Sequence, residues 1–211
     1  MSTNQTTVNM GFTDEQFPAG THMCLVYSNE EERKMIISKY LEAGNLSGEK
    51  VAYFADEMSP EEVKKWLEEM GIHMPPKDKK DSFGVTSTTE TYHPDGIFNP
   101  DEMLNNLKVF YDTAEEAGYP ASRLSGEMSW ALKGIPGSDR LMEYEARVND
   151  LLVEYPVTAI CQYDANKFDG ATLFECLKVH PYMIVKGQIV RNPYYMKTED
   201  YLKEKLQDKP L

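Results

Sequence analysis

Short apolar runs alternate along the chain with longer segments in which apolar residues recur every three or four positions. The runs at 23–27, 51–54 and 157–163 are bounded by turn-forming residues, a pattern typical of buried β-strands. The longer segments predict amphipathic helices, because this spacing places apolar side chains on one face of a helix. Further strands are predicted at 84–87, 124–126, 182–185 and 188–191, and the helices carry their apolar positions at 36–41, 63–70, 104–111, 141–151 and 171–179.

Two of the predicted helices are preceded by strong start signals. Ser59 and Glu62 have the spacing of a capping box, in which each side chain accepts a hydrogen bond from the backbone amide of the other residue. Ser28 and Glu31 have the same spacing and predict the start of the first helix, which we expect to end at Gly44. The segment from 90 to 98 has no such pattern and is predicted to be a long loop.

Strands that alternate with helices imply crossover connections, which give a mostly parallel sheet with helices on both faces. The predicted fold class is therefore α/β, a three-layer arrangement of a mostly parallel sheet flanked by helices. We expect a mobile N-terminus at 1–10, one domain at 11–195 and a charged C-terminal tail helix at 196–211.

The charge balance argues against nucleic acid and membrane partners. The chain has 35 acidic and 22 basic residues and a net charge of −13, which repels phosphate backbones and anionic lipids. No apolar run approaches the roughly 20 residues of a membrane helix. The three cysteines, Cys24, Cys161 and Cys176, are few and widely spaced, as in proteins of a reducing compartment. We therefore expect a cytoplasmic protein that contacts neither nucleic acid nor membrane.

The loop after the first long strand does not have the composition of a nucleotide-binding loop. Such a loop needs glycines that let the backbone approach phosphate, followed by a lysine and a serine or threonine. Residues 28–33 contain no glycine and three consecutive glutamates, which occupy the anion-binding end of the helix. We predict that the protein does not bind ATP.

Histidine and cysteine residues form the most unusual set in the sequence. His22 and Cys24 stand two positions apart on a predicted strand, so their side chains share one face about 7 Å apart. Together with Cys161 and His180 they make a set that Zn²⁺ accepts, but the spacing is not that of a zinc knuckle. Two alternatives are a pocket in which these residues contact a ligand and a core in which the cysteines act as small hydrophobes. The prediction is a site without a metal or cofactor. We expect Cys24 and Cys161 to be reduced and buried on neighbouring strands, and Cys176, on a helix, to be ordinary core.

Further candidates follow the ends of predicted strands, where α/β sheets bind ligands. Glu127 is a candidate polar anchor or acid–base group, and Trp130 and Tyr163 are candidate aromatic walls. In the fourth helix we expect Tyr144 to be buried and Glu145 to be solvated. The predicted ligand-binding residues, which should converge on one cavity at a strand-end edge, are His22, Cys24, Glu127, Trp130, Cys161, Tyr163 and His180.

Several motifs in a fixed order resemble the MEDS domain, the sensory domain of DcmR-type regulators from methanogens and methylotrophs. They are 20–27, 126–132, 141–149, 161–164 with Phe168, 180–181 and 191–195, so the resemblance covers essentially residues 11–195. The layout also resembles the RecA/KaiC-like ATPase core, with the segment at Ser28 in place of the phosphate-binding loop. This resemblance implies a RecA/KaiC-like fold without a functional phosphate-binding loop.

The resemblance implies a role in signal transduction. Members of the family are proposed to sense simple hydrocarbon derivatives, and they often carry a DNA-binding or kinase domain, for which the rest of this sequence is too short. We therefore expect a stand-alone, non-enzymatic sensory module that binds a small molecule, a simple hydrocarbon or one-carbon derivative. Its output would pass through a separate partner protein, a kinase or transcription regulator. The alternatives are a metal-dependent enzyme with Glu127 as acid–base and a structural adaptor without a ligand.

Overall fold

The computed structural model describes residues 6–72 and 82–207 of the chain. A small antiparallel pair, β1 (Thr7–Asn9) and β2 (Gln16–Pro18), precedes the main sheet. The strands of the main sheet are β3 (His22–Tyr27), β4 (Lys50–Ala55), β5 (Phe83–Ser87), β6 (Ser122–Glu127), β7 (Val157–Asp164), β8 (Tyr182–Val185) and β9 (Gln188–Arg191). Their order is β5-β4-β6-β7-β3-β8-β9, and only β9 is antiparallel to its neighbour within this described sheet.

Helices cover both faces of the sheet. The helices are α1 (Glu30–Leu46), α2 (Pro60–Glu69), α3 (Thr88–Tyr92), α4 (Pro100–Glu116), α5 (Leu141–Glu154), α6 (Gly170–Val179) and α7 (Thr198–Gln207), with two 3₁₀ turns at Ser129–Lys133 and Ser138–Arg140. Residues of α1 and α2 pack with one face of the sheet, and residues of α4, α5 and α6 pack with the other. The predicted three-layer α/β fold is confirmed.

The capping prediction is confirmed for α2 and wrong for α1. Ser59 and Glu62 form the predicted capping box at the start of α2. In α1 the cap is Asn29, whose side chain accepts from the Glu32 amide at 2.9 Å, in place of Ser28. The short amide side chain of Asn29 caps as well as serine does, and it stands one residue nearer to the apolar stripe.

Gly44 lies inside α1 and does not end it. A Cβ atom at this position would lie 2.5 Å from Cδ of Arg123, so the helix needs a glycine where it crosses that side chain. Arg123 is fully buried and its Nη2 lies 2.5 Å from Glu49 Oε1, a buried ion pair that ties β6 to the segment before β4. The glycine is therefore a packing residue, because it makes room for the arginine.

Two other expectations differ from the structure. The predicted loop at 90–98 begins with the last turn of α3, which is capped by Ser87 and Glu90 in a capping box that was not recognised. The expected mobile N-terminus differs at residues 7–10, since β1 pairs with β2 and Met10 is fully buried, while residues 1–5 lie outside the described part. Within residues 6–72 and 82–207, no helix is long and apolar enough to cross a membrane.

The predicted tail helix is α7, and one of its faces packs on the domain. Tyr201 is buried with Val179 and Ala146, and its hydroxyl donates to Glu175 Oε2 at 2.8 Å. Thr198 donates to the backbone oxygen of Ala146 at 2.8 Å. Helix α7 is therefore attached to both α5 and α6.

Candidate functional site

The structure distributes the seven predicted pocket residues over three places. Five of them lie together on the sheet face covered by α5 and α6, namely His22, Cys24, Cys161, Tyr163 and His180. Glu127 lies on the opposite face, against α1. Trp130 lies in an aromatic cluster beside α3. The prediction of a single cavity lined by all seven residues is wrong.

The first group surrounds a glutamate of α5 and is called the buried polar cluster, defined by His22, Glu145, Cys161 and His180. Oε2 of Glu145 lies 3.3 Å from His22 Nε2, 3.4 Å from Cys161 Sγ and 3.6 Å from His180 Nε2. His22 Nε2 lies 3.4 Å from Cys161 Sγ. The side chain of Glu145 is fully buried, so four groups capable of carrying charge share one water-excluded space.

Neighbouring polar groups orient each member of the buried polar cluster. His22 Nδ1 lies 3.0 Å from Asn149 Oδ1, and His180 Nδ1 lies 2.8 Å from the backbone oxygen of Cys176. Tyr163 donates its hydroxyl to Glu145 Oε1 at 2.9 Å. Both histidines therefore direct Nε2 at the centre of the cluster, since their Nδ1 atoms are held by oxygen acceptors.

The pKa values of the two histidines shift in opposite directions. Burial alone lowers the pKa of His180, but the sulfur of Cys24 and the carboxylate of Glu145 outweigh it and raise the pKa to about 9. Burial and the nearby His180 lower the pKa of His22. Burial alone raises the pKa of Glu145, yet hydrogen bonds from His180 and His22 hold it well below its usual range. Hence Glu145 is ionised and pairs with a protonated His180, while His22 is neutral.

The thiols are buried as predicted, and two of them are strand neighbours. Cys24 and Cys161 are register partners on β3 and β7, which confirms the expectation that they lie on adjacent strands. Burial and the nearby Glu145 raise the pKa of Cys161. Cys176, expected to be ordinary core, lies with its Sγ 3.6 Å from His180 Nδ1. All three cysteines are free.

Glu145 and Arg33 are site residues that the sequence interpretation missed. Glu145 was expected to be solvated, and this is wrong because it is 0% exposed. The signal was present, since Glu145 stands four residues after Leu141 on the apolar stripe of α5. Arg33 stands in the same way four residues before Ile37 on the stripe of α1, and it is 2% exposed.

Glu127 is the centre of a second group, called the carboxyl-edge cluster and defined by Arg33, Tyr53, Glu127 and Gln162. Its Oε1 accepts from Arg33 Nη1 at 3.2 Å and from the Tyr53 hydroxyl at 2.5 Å. Arg33 Nη1 also donates to Gln162 Oε1 at 2.9 Å. The backbone amides of residues 56 and 57 both donate to Glu127 Oε2 at 2.8 Å. The carboxylate is thus fully engaged by the protein itself.

Arg33 occupies the space beyond β3 where the RecA-like resemblance would place a phosphate-binding loop. The guanidinium pairs with Glu30 in the first turn of α1 as well as with Glu127. One guanidinium and two carboxylates leave a net negative charge there, which repels a triphosphate. This arrangement supports the prediction that ATP does not bind.

Trp130 is fully buried in an aromatic cluster. Its ring centroid lies 4.7 Å from that of Phe98 and 5.0 Å from that of Tyr92, on which it stacks. Its interpretation as a pocket wall is corrected to core packing, because the long segment at 90–98 folds back over the indole.

The open cavity that touches the buried polar cluster lies at the amino ends of the strands, whereas the prediction placed it at their carboxyl ends. It has a volume of about 450 Å³, and His22 and Asn149 form part of its wall. We call it the amino-edge cavity. The remaining wall consists mostly of apolar side chains and backbone, including Pro18, Leu152, Val153, Pro156, Pro181, Tyr182 and Tyr195.

Comparison with solved structures agrees with the observed topology. The KaiC-like protein PH0186 from Pyrococcus horikoshii OT3 matches 86% of this chain and 80% of its own with a TM-score of 0.63 at 18% identity. The flagellar accessory protein FlaH from Methanocaldococcus jannaschii matches 88% of this chain and 84% of its own with a TM-score of 0.60 at 11% identity. The fold is therefore KaiC- and RecA-like.

Comparison with protein sequences and with a family model identifies the family of the chain. The transcriptional repressor DcmR of Methylorubrum extorquens (strain DSM 6343 / CIP 106787 / DM4) is 26% identical over 162 residues, which are 75% of this chain and 57% of the repressor. The chain thus aligns with little more than half of that relative. A family model matches residues 21–181, which include the whole buried polar cluster. The protein belongs to the MEDS family, the MEthanogen/methylotroph, DcmR Sensory domain.

Proposed function

We propose that this MEDS domain senses a small molecule that binds in the amino-edge cavity, and that binding without catalysis is its activity. The observation that carries this proposal is the position of His22, which lies in the wall of the cavity and also contacts Glu145 at 3.3 Å. A ligand in the cavity would thus meet a side chain that belongs to a buried, charged network.

The composition of the cavity indicates the class of ligand. Proline, leucine, valine and tyrosine side chains supply most of the wall, and His22, Asn149 and Thr21 supply polar groups. A volume of about 450 Å³ lies within the range of small-molecule sites. A ligand with a short apolar body and one polar group fits this wall, which agrees with the predicted hydrocarbon derivative. A one-carbon compound would fill only a fraction of the space.

The hydrogen bonds of Asn149 and its neighbour would transmit ligand binding from the cavity to helices at the protein surface. Its amide nitrogen donates to the backbone oxygen of Val179 at 2.7 Å, where α6 ends. The next residue of α5, Asp150, accepts from Thr198 of α7 at 3.0 Å. A ligand that moves Asn149 would shift α5 against α6 and α7. The proposed output is a change in the surface that these helices offer to a separate partner protein, such as a kinase or transcription regulator.

The metal-enzyme alternative with Glu127 as acid–base gains no support from the geometry. Glu127 lies on the opposite face of the sheet from Cys161, and its oxygens are engaged by Arg33, Tyr53 and two backbone amides. The predicted cytoplasmic location stays a prediction.

A homologous series of ligands tests the proposal. Binding of methyl, ethyl, propyl and butyl alcohols, amines, thiols and halides is measured by calorimetry and thermal shift. Within the class that carries the right polar group, affinity should rise about fourfold for each methylene that the cavity buries. The variant Val153→Trp, which places an indole in the cavity mouth, should abolish binding. Val153 is 82% exposed, so the fold should tolerate the change.

The matched control is Val109→Trp, an exposed valine of α4 that lies outside the cavity wall. This variant should bind the series as the wild type does. Binding that is equal in both tryptophan variants would overturn the placement of the ligand. A series in which no class binds at millimolar concentration would overturn the proposed function and favour the adaptor alternative.

A further inference from the structure

Four of the six separations between the donor atoms of the buried polar cluster match the edges of a tetrahedron around a metal ion. The separations from Glu145 Oε2 to His22 Nε2, Cys161 Sγ and His180 Nε2 are 3.3, 3.4 and 3.6 Å, and His22 Nε2 lies 3.4 Å from Cys161 Sγ. All four donors lie within 4.8 Å of one another. Zinc bonds of about 2.0–2.3 Å in a tetrahedron separate the ligand atoms by about 3.3–3.8 Å, which agrees with these values.

The two contacts between a histidine and Glu145, at 3.3 and 3.6 Å, are long for hydrogen bonds, whereas the two sulfur contacts have ordinary lengths. Good N–H···O bonds are about 2.9–3.0 Å long, and the interaction weakens beyond that distance. In the described part of the chain His180 Nε2, which is buried, has no hydrogen-bond partner. Burying a nitrogen without a hydrogen-bond partner costs free energy. A cation at the centre of the cluster would bind this nitrogen and remove that cost.

The histidine nitrogens that point away from the centre of the cluster are held by hydrogen bonds, as in metal sites. The Nδ1 atoms of His22 and His180 face Asn149 Oδ1 and the backbone oxygen of Cys176, at 3.0 and 2.8 Å. The orientation of the Asn149 amide is fixed, because its nitrogen donates to the backbone oxygen of Val179 and shares its other hydrogen between the backbone oxygens of Glu145 and Ala146. Each Nδ1 therefore carries a proton. Nε2 of the neutral His22 presents a lone pair to the centre, and Nε2 of His180 does so once its own proton is released, as in metal-binding histidines.

From this geometry we infer that His22, Glu145, Cys161 and His180 form a closed, four-coordinate site for a divalent cation of the zinc class. The mixed nitrogen, sulfur and oxygen donors suit zinc, whereas magnesium and calcium prefer oxygen ligands in larger number. The carboxylate and the thiolate balance the charge of the ion, and binding releases the thiol proton of Cys161 and the proton of His180 to solvent. The amino-edge cavity, which His22 lines, offers the entry path.

This inference differs from the zinc set considered in the sequence, because Glu145 replaces Cys24. Cys24 belongs to a second group of three donors with Cys176 and His180. In that group His180 would have to use Nδ1, which is already occupied by the backbone oxygen of Cys176. The site also stands independently of the proposed small-molecule ligand.

Cobalt substitution of the full chain tests the site. The purified protein is treated with a chelator, dialysed and titrated with Co²⁺, and the absorption spectrum is recorded. The expected result is one equivalent of cobalt with the strong ligand-field bands of tetrahedral coordination and a thiolate-to-cobalt charge-transfer band. Cys161→Ser should lose the charge-transfer band and bind cobalt at least tenfold more weakly.

Cys176→Ser is the matched control, because it removes a buried thiol near His180 that is outside the inferred ligand set, and it should keep both spectral features. If the band survives in Cys161→Ser and vanishes in Cys176→Ser, the ion occupies the other group of donors and the inference fails. Failure of the wild-type protein to bind stoichiometric cobalt also overturns it.

A second variant covers the case in which Cys161→Ser does not fold. Asn149→Ala removes the acceptor that orients His22 but leaves all four ligands, so cobalt affinity should fall about 10–100-fold with the charge-transfer band retained. Unchanged affinity in this variant would contradict the assignment of His22 as a ligand.

Discussion

Glu127 and Cys161 occupy neighbouring strands one register position apart, yet their side chains project from opposite faces of the sheet. Cys161 pairs with Gly126 and Glu127 pairs with Gln162. Because side chains alternate along a strand, this single step separates the two residues. The sheet therefore keeps the carboxyl-edge cluster apart from the buried polar cluster.

The first prediction follows from the burial of Glu127. Glu127→Gln removes the buried one of the two charge partners of Arg33 and turns one acceptor oxygen into a donor that faces two backbone amides. We expect the free energy of unfolding in urea to fall by about 1–3 kcal/mol, while cavity ligands bind as in the wild type. The control Glu143→Gln alters a partly exposed ion pair with Arg140 and should cost less than about 1 kcal/mol. Equal stability of both variants would show that Glu127 is not held as described.

The second prediction concerns nucleotides. Arg33 fills the space beyond β3 and pairs with Glu30 and Glu127, so calorimetry with ATP and Mg²⁺ should detect no binding. Micromolar affinity for ATP would contradict this placement of the guanidinium.

The third prediction concerns the thiols. Cys24, Cys161 and Cys176 are 0–5% exposed, and burial raises the pKa of Cys161 and of Cys176. A thiol reagent should therefore label the native protein only at the rate of unfolding and label all three cysteines at once in denaturant. Rapid labelling of any one of them in the native protein would contradict its burial.

The fourth prediction concerns the attachment of α7 at low pH. Partial burial alone raises the pKa of Glu175, but hydrogen bonds from Lys205, Lys178 and Tyr201 outweigh it and lower the pKa to about 2. A carboxylate whose pKa is lower in the folded state stabilises the fold above its unfolded pKa of about 4.3, and this contribution is lost as pH falls towards 2. Between pH 6 and pH 3 we expect the docking of α7 to weaken by about 1–2 kcal/mol, since these ion pairs are partly exposed.

Hydrogen exchange of the α7 amides as a function of pH measures this effect. Glu175→Gln should abolish most of the dependence in that window, whereas Glu116→Gln, an exposed acid of α4, should leave it intact. Protection of α7 that is independent of pH in the wild type would refute the assigned role of Glu175.

The order of strands and helices could be predicted from the sequence because each element carries its own periodicity and end signals. Ser59 with Glu62 is an example, since the whole capping box lies within four consecutive residues. The site depends on two further facts that local pattern does not contain. One is the register between β6 and β7, which decides the face of Glu127. The other is the partner that allows a charged residue on an apolar helix face to be buried. Because that partner lies elsewhere in the sequence, the burial of Glu145 and Arg33 was not predicted.

The cavity was predicted at the wrong edge of the sheet for a related reason. The rule that ligands bind at the carboxyl ends of parallel strands assumes that this edge is free, but in this chain Arg33 and Glu127 fill the part beside β6 and β7. The amino edge carries the amino-edge cavity instead, and Gly20 and Pro156, which precede β3 and β7, form part of its wall. The identity of side chains at both edges decides which one is available.

The location of the ligand is tested most directly by methyl NMR of the leucine- and valine-labelled protein, titrated with the tightest-binding member of the homologous series. The methyl resonances of Leu152 and Val153, which line the amino-edge cavity, should shift in proportion to occupancy. Those of Leu173 and Leu177, which line a smaller cavity of about 260 Å³ at the carboxyl ends of β3 and β8, should stay in place. Shifts at Leu173 and Leu177 with none at Leu152 would contradict the amino-edge site.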